Sequence, residues 1–322
     1  MRIGERFLWA TIVLALLLPL LTACSSRAAA PAEAPLKGTI TVSGAWALYP
    51  LMVRWGEEFH RLHPGVQFDI SAGGAGKGMA DALAGAVELG MVSRDIAPEE
   101  EAKGAFWVAV TKDTVLPVVN AQNPALQDLL RQGVSRDIFA GIYISGQIKR
   151  WGQVVGRPEL RDEIHVYTRS DAAGAPDAWA RFLGKKQEDL LGIGIYGDPG
   201  ILDAVVKDPL GIGYNNLNYA FDAQTGRPVA GAAIVPIDAN GNGRADPDEI
   251  VDTKAKAVQA VASGRYPSPP ARALNLVTRG RPQGLVRTFL LWVLNDGQKY
   301  VDEVGYVQLP AEQLAASREK LN

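Results

Sequence analysis

The chain of 322 residues has a single cysteine, Cys24, and three histidines, His60, His63 and His165. One thiol can form no internal disulfide, and the histidines are too scattered for a zinc cluster or a catalytic triad. The net charge of −2 lacks the basic excess that draws nucleic acid or an anionic membrane through bulk electrostatics. No nucleic-acid partner is expected, and any anion recognition must be local. There is no internal repeat of solenoid length. Gly76-Lys77 lacks the following Ser or Thr of a phosphate-binding P-loop. The stretch Gly192-Ile-Gly194-Ile-Tyr-Gly197 matches a dinucleotide fingerprint in letters alone, with no evident helix start or suitably placed acidic residue after it.

What is present begins with Arg2 and Arg6, followed by an apolar run from Phe7 to Leu21. The run falls short of the ~20 residues of a membrane-spanning helix and reads as a targeting segment, 1–23, outside the fold. Leu21-Thr22-Ala23-Cys24 resembles the lipobox of bacterial lipoproteins, which implies that Cys24 becomes the lipid-bearing N-terminus. Residues 24–36, rich in Ala, Ser and Pro, read as a flexible tether. A lipoprotein anchored outside the cytoplasm, at the cell surface or in the periplasm, is expected. An uncleaved anchor helix would place the domain on the same side.

From Lys37 onward strands and helices alternate. Gly38 to Val42 is a β-branched strand, and Pro50 suits the first turn of a helix with Leu51, Trp55 and Phe59 on one face. Val66, Phe68 and Ile70 alternate as a strand, Ser71 to Gly78 reads as a turn, and the helical pattern resumes from Met79 to Ala86. Further strands are expected at Leu89–Val92, Ala105–Thr111, Val115–Asn120, Ile164–Thr168, Gly211–Asn215, Ala233–Ile237 and Leu274–Thr278. Helices are expected at Pro124–Leu130, Gly174–Leu183, Lys254–Ala262 and Gly284–Asn295. Such alternation predicts an α/β fold whose ligand loops sit at the carboxyl ends of parallel strands. Three loops, Ser43–Tyr49, Gly73–Met79 and Arg169–Ala175, place backbone N–H groups at helix starts, which favour anions.

These loops, with Gly90-Met91-Val92-Ser93-Arg94, Gly141 to Trp151, Gly211-Ile212-Gly213-Tyr214 and Ser263-Gly264-Arg265-Tyr266-Pro267, resemble the PstS-type phosphate-binding proteins of bacterial ABC importers. The resemblance spans roughly Gly38 to the end. It implies a two-lobed periplasmic-binding-protein-like fold of type II, with a hinge and a central cleft: lobe 1 at 37–118 and 266–322, lobe 2 at 119–265. Carried over by position, it implies ligand contacts from Tyr49, from the N–H groups around Ala75 and Gly76, from the Ser93 hydroxyl and from the loop at Ala173 and Gly174. The Arg169 guanidinium would hold two oxyanion oxygens, and Arg94 would be a second cation or a cleft latch. Asp171 would accept a hydrogen bond from a protonated ligand oxygen and so reject sulfate. Where the family pattern has hydroxyl residues, this chain has Leu48, Ala75, Ala173 and Ala175. Each lost hydrogen bond to a charged group costs ~1.5–3 kcal/mol unless replaced, so either backbone and water substitute or the ligand differs; the resemblance implies phosphate or a related oxyanion.

Residues 238–249 fit the EF-hand loop pattern at every specified position. Oxygen ligands for Ca2+ would come from Asp238, Asn240, Asn242, the Arg244 carbonyl, Asp246 and Glu249, with Gly243 at the turn. The flanks are not two amphipathic helices, so a lone structural calcium loop is expected. The whole reads as a solute-binding protein, not an enzyme, expected to be a monomer serving an ABC permease. An oxyanion sensor, or a calcium-stabilised surface lipoprotein that has lost transport, is the alternative; an exported hydrolase would need a nucleophile and base that these residues do not assemble.

Overall fold

The computed structural model describes residues 35–322; the targeting segment, Cys24 and nearly all of the tether lie outside the described residues. Twelve strands are described: β1 (Gly38–Gly44), β2 (Val66–Ala72), β3 (Leu89–Val92), β4 (Ala105–Asp113), β5 (Val115–Asn120), β6 (Val134–Ser135), β7 (His165–Arg169), β8 (Ile193–Ile195), β9 (Gly211–Asn216), β10 (Ala232–Ile234), β11 (Ile237–Asp238) and β12 (Arg272–Arg279).

They form two five-stranded sheets, in the orders β2-β1-β3-β12-β4 and β10-β5-β9-β7-β8, and a small pair, β11-β6. In the first sheet β1 runs parallel to β2 and β3, while β12 is antiparallel to β3 and β4. In the second, β7 is parallel to β8 and β9, and β5 is antiparallel to β9 and β10. Each sheet carries its own hydrophobic core, one around Trp55, Phe59 and Phe289, the other around Phe139, Trp151 and Trp179. This is the expected two-lobed α/β architecture.

The chain passes from the first sheet to the second at Thr114, because β5 lies wholly in the second sheet; the expected boundary at 118 would have cut that strand. It returns just before Arg272, whose register partner across β12 and β4 is Asp113.

Local chemistry explains the elements that frame the cleft. The helix Tyr49–Leu62 has Pro50 in its first turn and buries Leu51, Met52, Trp55 and Phe59, and the Trp55 indole donates to the Gly297 carbonyl at 2.8 Å. Its outer face is pinned by Glu58, which accepts from Arg54 and Arg61.

Three expectations shift. The Gly-rich segment is no turn beyond Gly74: the helix Ala75–Ala84 starts four residues earlier than the periodicity suggested. A Cβ on Gly78 would lie 2.5 Å from the Met91 carbonyl and 2.8 Å from the Gly44 Cα, so bare backbone lets this helix lie directly on β1 and β3. The strand expected at Ala233–Ile237 is two short strands, β10 and β11, in different sheets, split at Val235-Pro236. A helix, Gly197–Lys207, also starts where the sequence showed no helix start, directly after the partly exposed β8.

Candidate functional site

The loops that the sequence singles out lie at the carboxyl ends of β1, β2, β3 and β7, where the two lobes meet. Arg169 is the last residue of β7, and its guanidinium is almost wholly buried. Its Nε and Nη2 donate to the two carboxylate oxygens of Asp171 at 2.7 and 2.5 Å, and its Nη1 donates to Asp198 at 2.6 Å. Burial works against the charge, but the carboxylates of Asp198 and Asp171 outweigh it and raise the guanidinium pKa.

Asp198, fully buried, stands at the carboxyl end of β8 and was not singled out from the sequence. Its Oδ1 accepts from the backbone and the side chain of Asn216 at 2.9 Å each, and its carbonyl accepts from Asn215 at 2.8 Å. Asn216 in turn accepts from Nη2 of Arg272, whose Nε donates to the Ser93 carbonyl at 3.1 Å. One buried polar chain thus runs from the crossing strand β12 to Arg169. The one available signal was Gly197, immediately before Asp198: its φ of +73° bends the chain out of β8.

Across the cleft, the Gly76 N–H donates to the Ala172 carbonyl at 3.0 Å, a direct bond between the Gly-rich helix start and the Arg169 loop. Ser93 is buried against Gly174, where a Cβ would fall on the Ser93 hydroxyl and carbonyl. Asp171 Oδ1 also accepts from the Gly197 N–H at 3.2 Å, and the Ala173 N–H donates to Gln187 at 3.3 Å.

Tyr49 departs from its expected role, because its N–H closes a turn onto the Trp46 carbonyl. Arg94 is not the cleft latch. It forms a two-pronged pair with Glu100 of its own lobe, at 2.9 and 2.7 Å, and Glu100 raises its pKa. The ion pair across the mouth is instead Arg181 with Asp95, at 2.6 Å. Leu48, Ala75, Ala173 and Ala175 are all buried, the first two in the core of lobe 1 and Ala175 in that of lobe 2. Trp46 adds an aromatic bridge between the lobes, edge-on to Tyr196 and Tyr219 with ring centres 6.0 and 6.3 Å apart.

The loop 238–249 is closed by its own polar side chains. Asp238 accepts from the N–H groups of Gly241, Asn242 and Gly243, and Gly243 has a φ of +72°. Asn240 and Asn242 close turns onto the N–H groups of Asn242 and Arg244 while donating their side-chain amides to Asp246. Glu249 folds back to accept from the Ala239 and Asp246 N–H groups. Among the described residues no group of three or more His, Cys, Asp or Glu side chains is set to hold a metal ion. No helix among them is long and apolar enough to cross a membrane.

Residues 29–296 match the model of the PBP superfamily domain. The phosphate-binding protein PstS of Bacillus subtilis is 25% identical over 285 residues, covering 88% of this chain and 85% of its own length. The PstS of Methanocaldococcus jannaschii is likewise 25% identical, over 88% of this chain and 86% of its own. Among solved structures, a protein assigned as a phosphate ABC transporter substrate-binding protein from Clostridium perfringens, with bound phosphate, superposes with a TM-score of 0.69. Its identity is 23%, with 85% of this chain and all of that one covered. An ABC-type phosphate transport receptor from Vibrio cholerae gives 0.61 at 18% identity, over 84% of this chain and 100% of its own. With two sheets, two cores and a cleft built at their strand ends, the chain belongs to the PBP superfamily and is of the PstS type.

Proposed function

We propose that this chain captures phosphate or a closely related oxyanion between its lobes and delivers it to an ABC permease, as a lipid-anchored extracytoplasmic monomer. The observation that supports this best is the buried Arg169 at the end of β7, with the Gly76 N–H of the opposing helix start reaching the same loop. A ligand oxygen would take the place of the Ala172 carbonyl on Gly76, and the two guanidinium hydrogens not engaged by Asp171 and Asp198 would serve the same ligand. Ser93 and the loop at Ala173 and Gly174 complete the wall. Capture without turnover is the expected behaviour.

The donor set of 238–249, all oxygen, suits Ca2+, with Asp238, Asn240, Asn242, the Arg244 carbonyl, Asp246 and Glu249 holding it. Its place beside the β11-β6 pair makes it a brace of lobe 2, stabilising by preferential binding to the folded form. The burial of Leu48, Ala75, Ala173 and Ala175 supports a second reading, in which an oxyanion sensor or surface lipoprotein keeps the fold without transport.

Calorimetric titration of the full chain in detergent tests the first reading. Saturable phosphate binding, with sulfate rejected and Arg169→Ala silent, is expected; phosphate binding unchanged in Arg169→Ala would overturn the site.

A further inference from the structure

Ser93 also borders a chamber of about 310 Å³ on the hinge side, lined by Arg94, Asp95, Lys112, Asp177, Arg181 and Arg272. Its ion pairs leave one cation, Lys112, unmatched among the described residues. Arg94 is matched by Glu100 and Arg181 by Asp95, whereas Lys112 takes part in no ion pair among the described residues. Arg272 has a side chain only 8% exposed and forms an ion pair with Asp113 at 3.5 Å, but its Nη1 has no hydrogen-bond partner. A buried guanidinium nitrogen without a partner is costly, and a polar ligand group is one way to satisfy it.

The chamber adjoins the Arg169 centre. Ser93 lines it and packs on Gly174, and Arg272 is tied through Asn216 and Asp198 to Arg169 itself. Two acids line the chamber: Asp95, paired with Arg181, and Asp177, whose pKa burial raises.

We infer that this chamber is a second anion subsite, and that the ligand of this chain carries two anionic groups: a phosphoryl group at Arg169 and a carboxylate reaching Lys112 and Arg272. This rests on the capture reading above and narrows its substrate class to small phosphonates or phosphate esters bearing a carboxylate. The volume suits such an extension, and the four missing hydroxyls fit a site whose affinity comes partly from elsewhere.

The test compares inorganic phosphate with phosphonoacetate by calorimetry on the full chain in detergent, for wild type and Lys112→Gln. Phosphonoacetate is expected to bind roughly tenfold more tightly than phosphate, as one charge-assisted hydrogen bond allows. Lys112→Gln should remove that preference while leaving phosphate affinity in place. Equal binding of the two probes, or a preference that survives in Lys112→Gln, would overturn the subsite alone. Binding of neither probe would overturn the capture reading with it.

Discussion

Arg169 and Asp198, 29 residues apart in the chain, meet at 2.6 Å in a pocket that solvent does not reach. Asp171 closes the other edge of the same guanidinium, so its orientation is set from two sides before any ligand arrives. Pre-set donors give up less entropy on binding, which is where the affinity of such a site originates.

Removing Asp198 should therefore cost both stability and affinity. Asp198→Ala leaves Arg169 held from one side and Asn216 tied only to Arg272, and breaking a buried pair costs about 3–5 kcal/mol. Denaturant unfolding should show that loss. Stability within about 1 kcal/mol of wild type would mean that Asp171 alone carries the charge.

Gly174→Ala should act on closure more than on folding. The added methyl falls on Ser93 of the other lobe, so the lobes must part to relieve it. Phosphate affinity should fall by about tenfold or more with a melting temperature near that of wild type, since only the closed state is penalised. A large drop in melting temperature with affinity intact would place the contact in the fold itself.

Asp113, buried at the crossing between lobes, has its pKa pushed up to about 6 from an ordinary value of 3.8 by desolvation, which the Arg272 charge offsets only in part. A carboxyl raised in the folded state favours folding most when protonated. Its contribution is therefore full below pH 3.8 and falls away as pH rises to about 6. Against Asp113→Asn, which does not titrate, wild type should lose up to about 3 kcal/mol of relative stability between pH 4 and 7. A stability difference independent of pH would show that Asp113 stays ionised in the fold.

For the loop at 238–249, Asp238→Ala removes the acceptor of three backbone N–H groups and the first of the proposed calcium ligands together. Wild type should melt higher in millimolar calcium than in chelator, reflecting about 2–3 kcal/mol of added stability at a hundredfold excess over Kd, and the variant should show no such difference. A wild-type melting temperature indifferent to calcium would leave the loop as a self-sufficient turn.

Periodicity made the fold readable where one face is buried: Leu51, Trp55 and Phe59 announce their helix, and the β-branched run in β1 its strand. It failed at Gly73–Gly78, where glycine normally signals a turn. Here only Gly74 uses that freedom, at a φ of +92°, while Gly76 and Gly78 sit inside a helix pressed against backbone or the opposite lobe. It failed again before Asp198, because β8 has three residues and an exposed face, which leaves no alternation to read. Arg169 and Asp171 were legible from their motif. Asp198, Asn216 and Arg272 were not, since a buried polar chain is assembled from three strand ends that nothing local connects.

The place of β12 between β3 and β4 has a consequence for synthesis. Those two strands do not pair with each other, so the first sheet has a gap until residues 272–279 exist. Lobe 2, by contrast, is continuous in sequence between Thr114 and Ala271 and holds a core of its own. A chain emerging from the ribosome can thus complete its second lobe first, while the N-terminal half-sheet waits with two open strand edges. That waiting interval is when a chaperone would find most to cover.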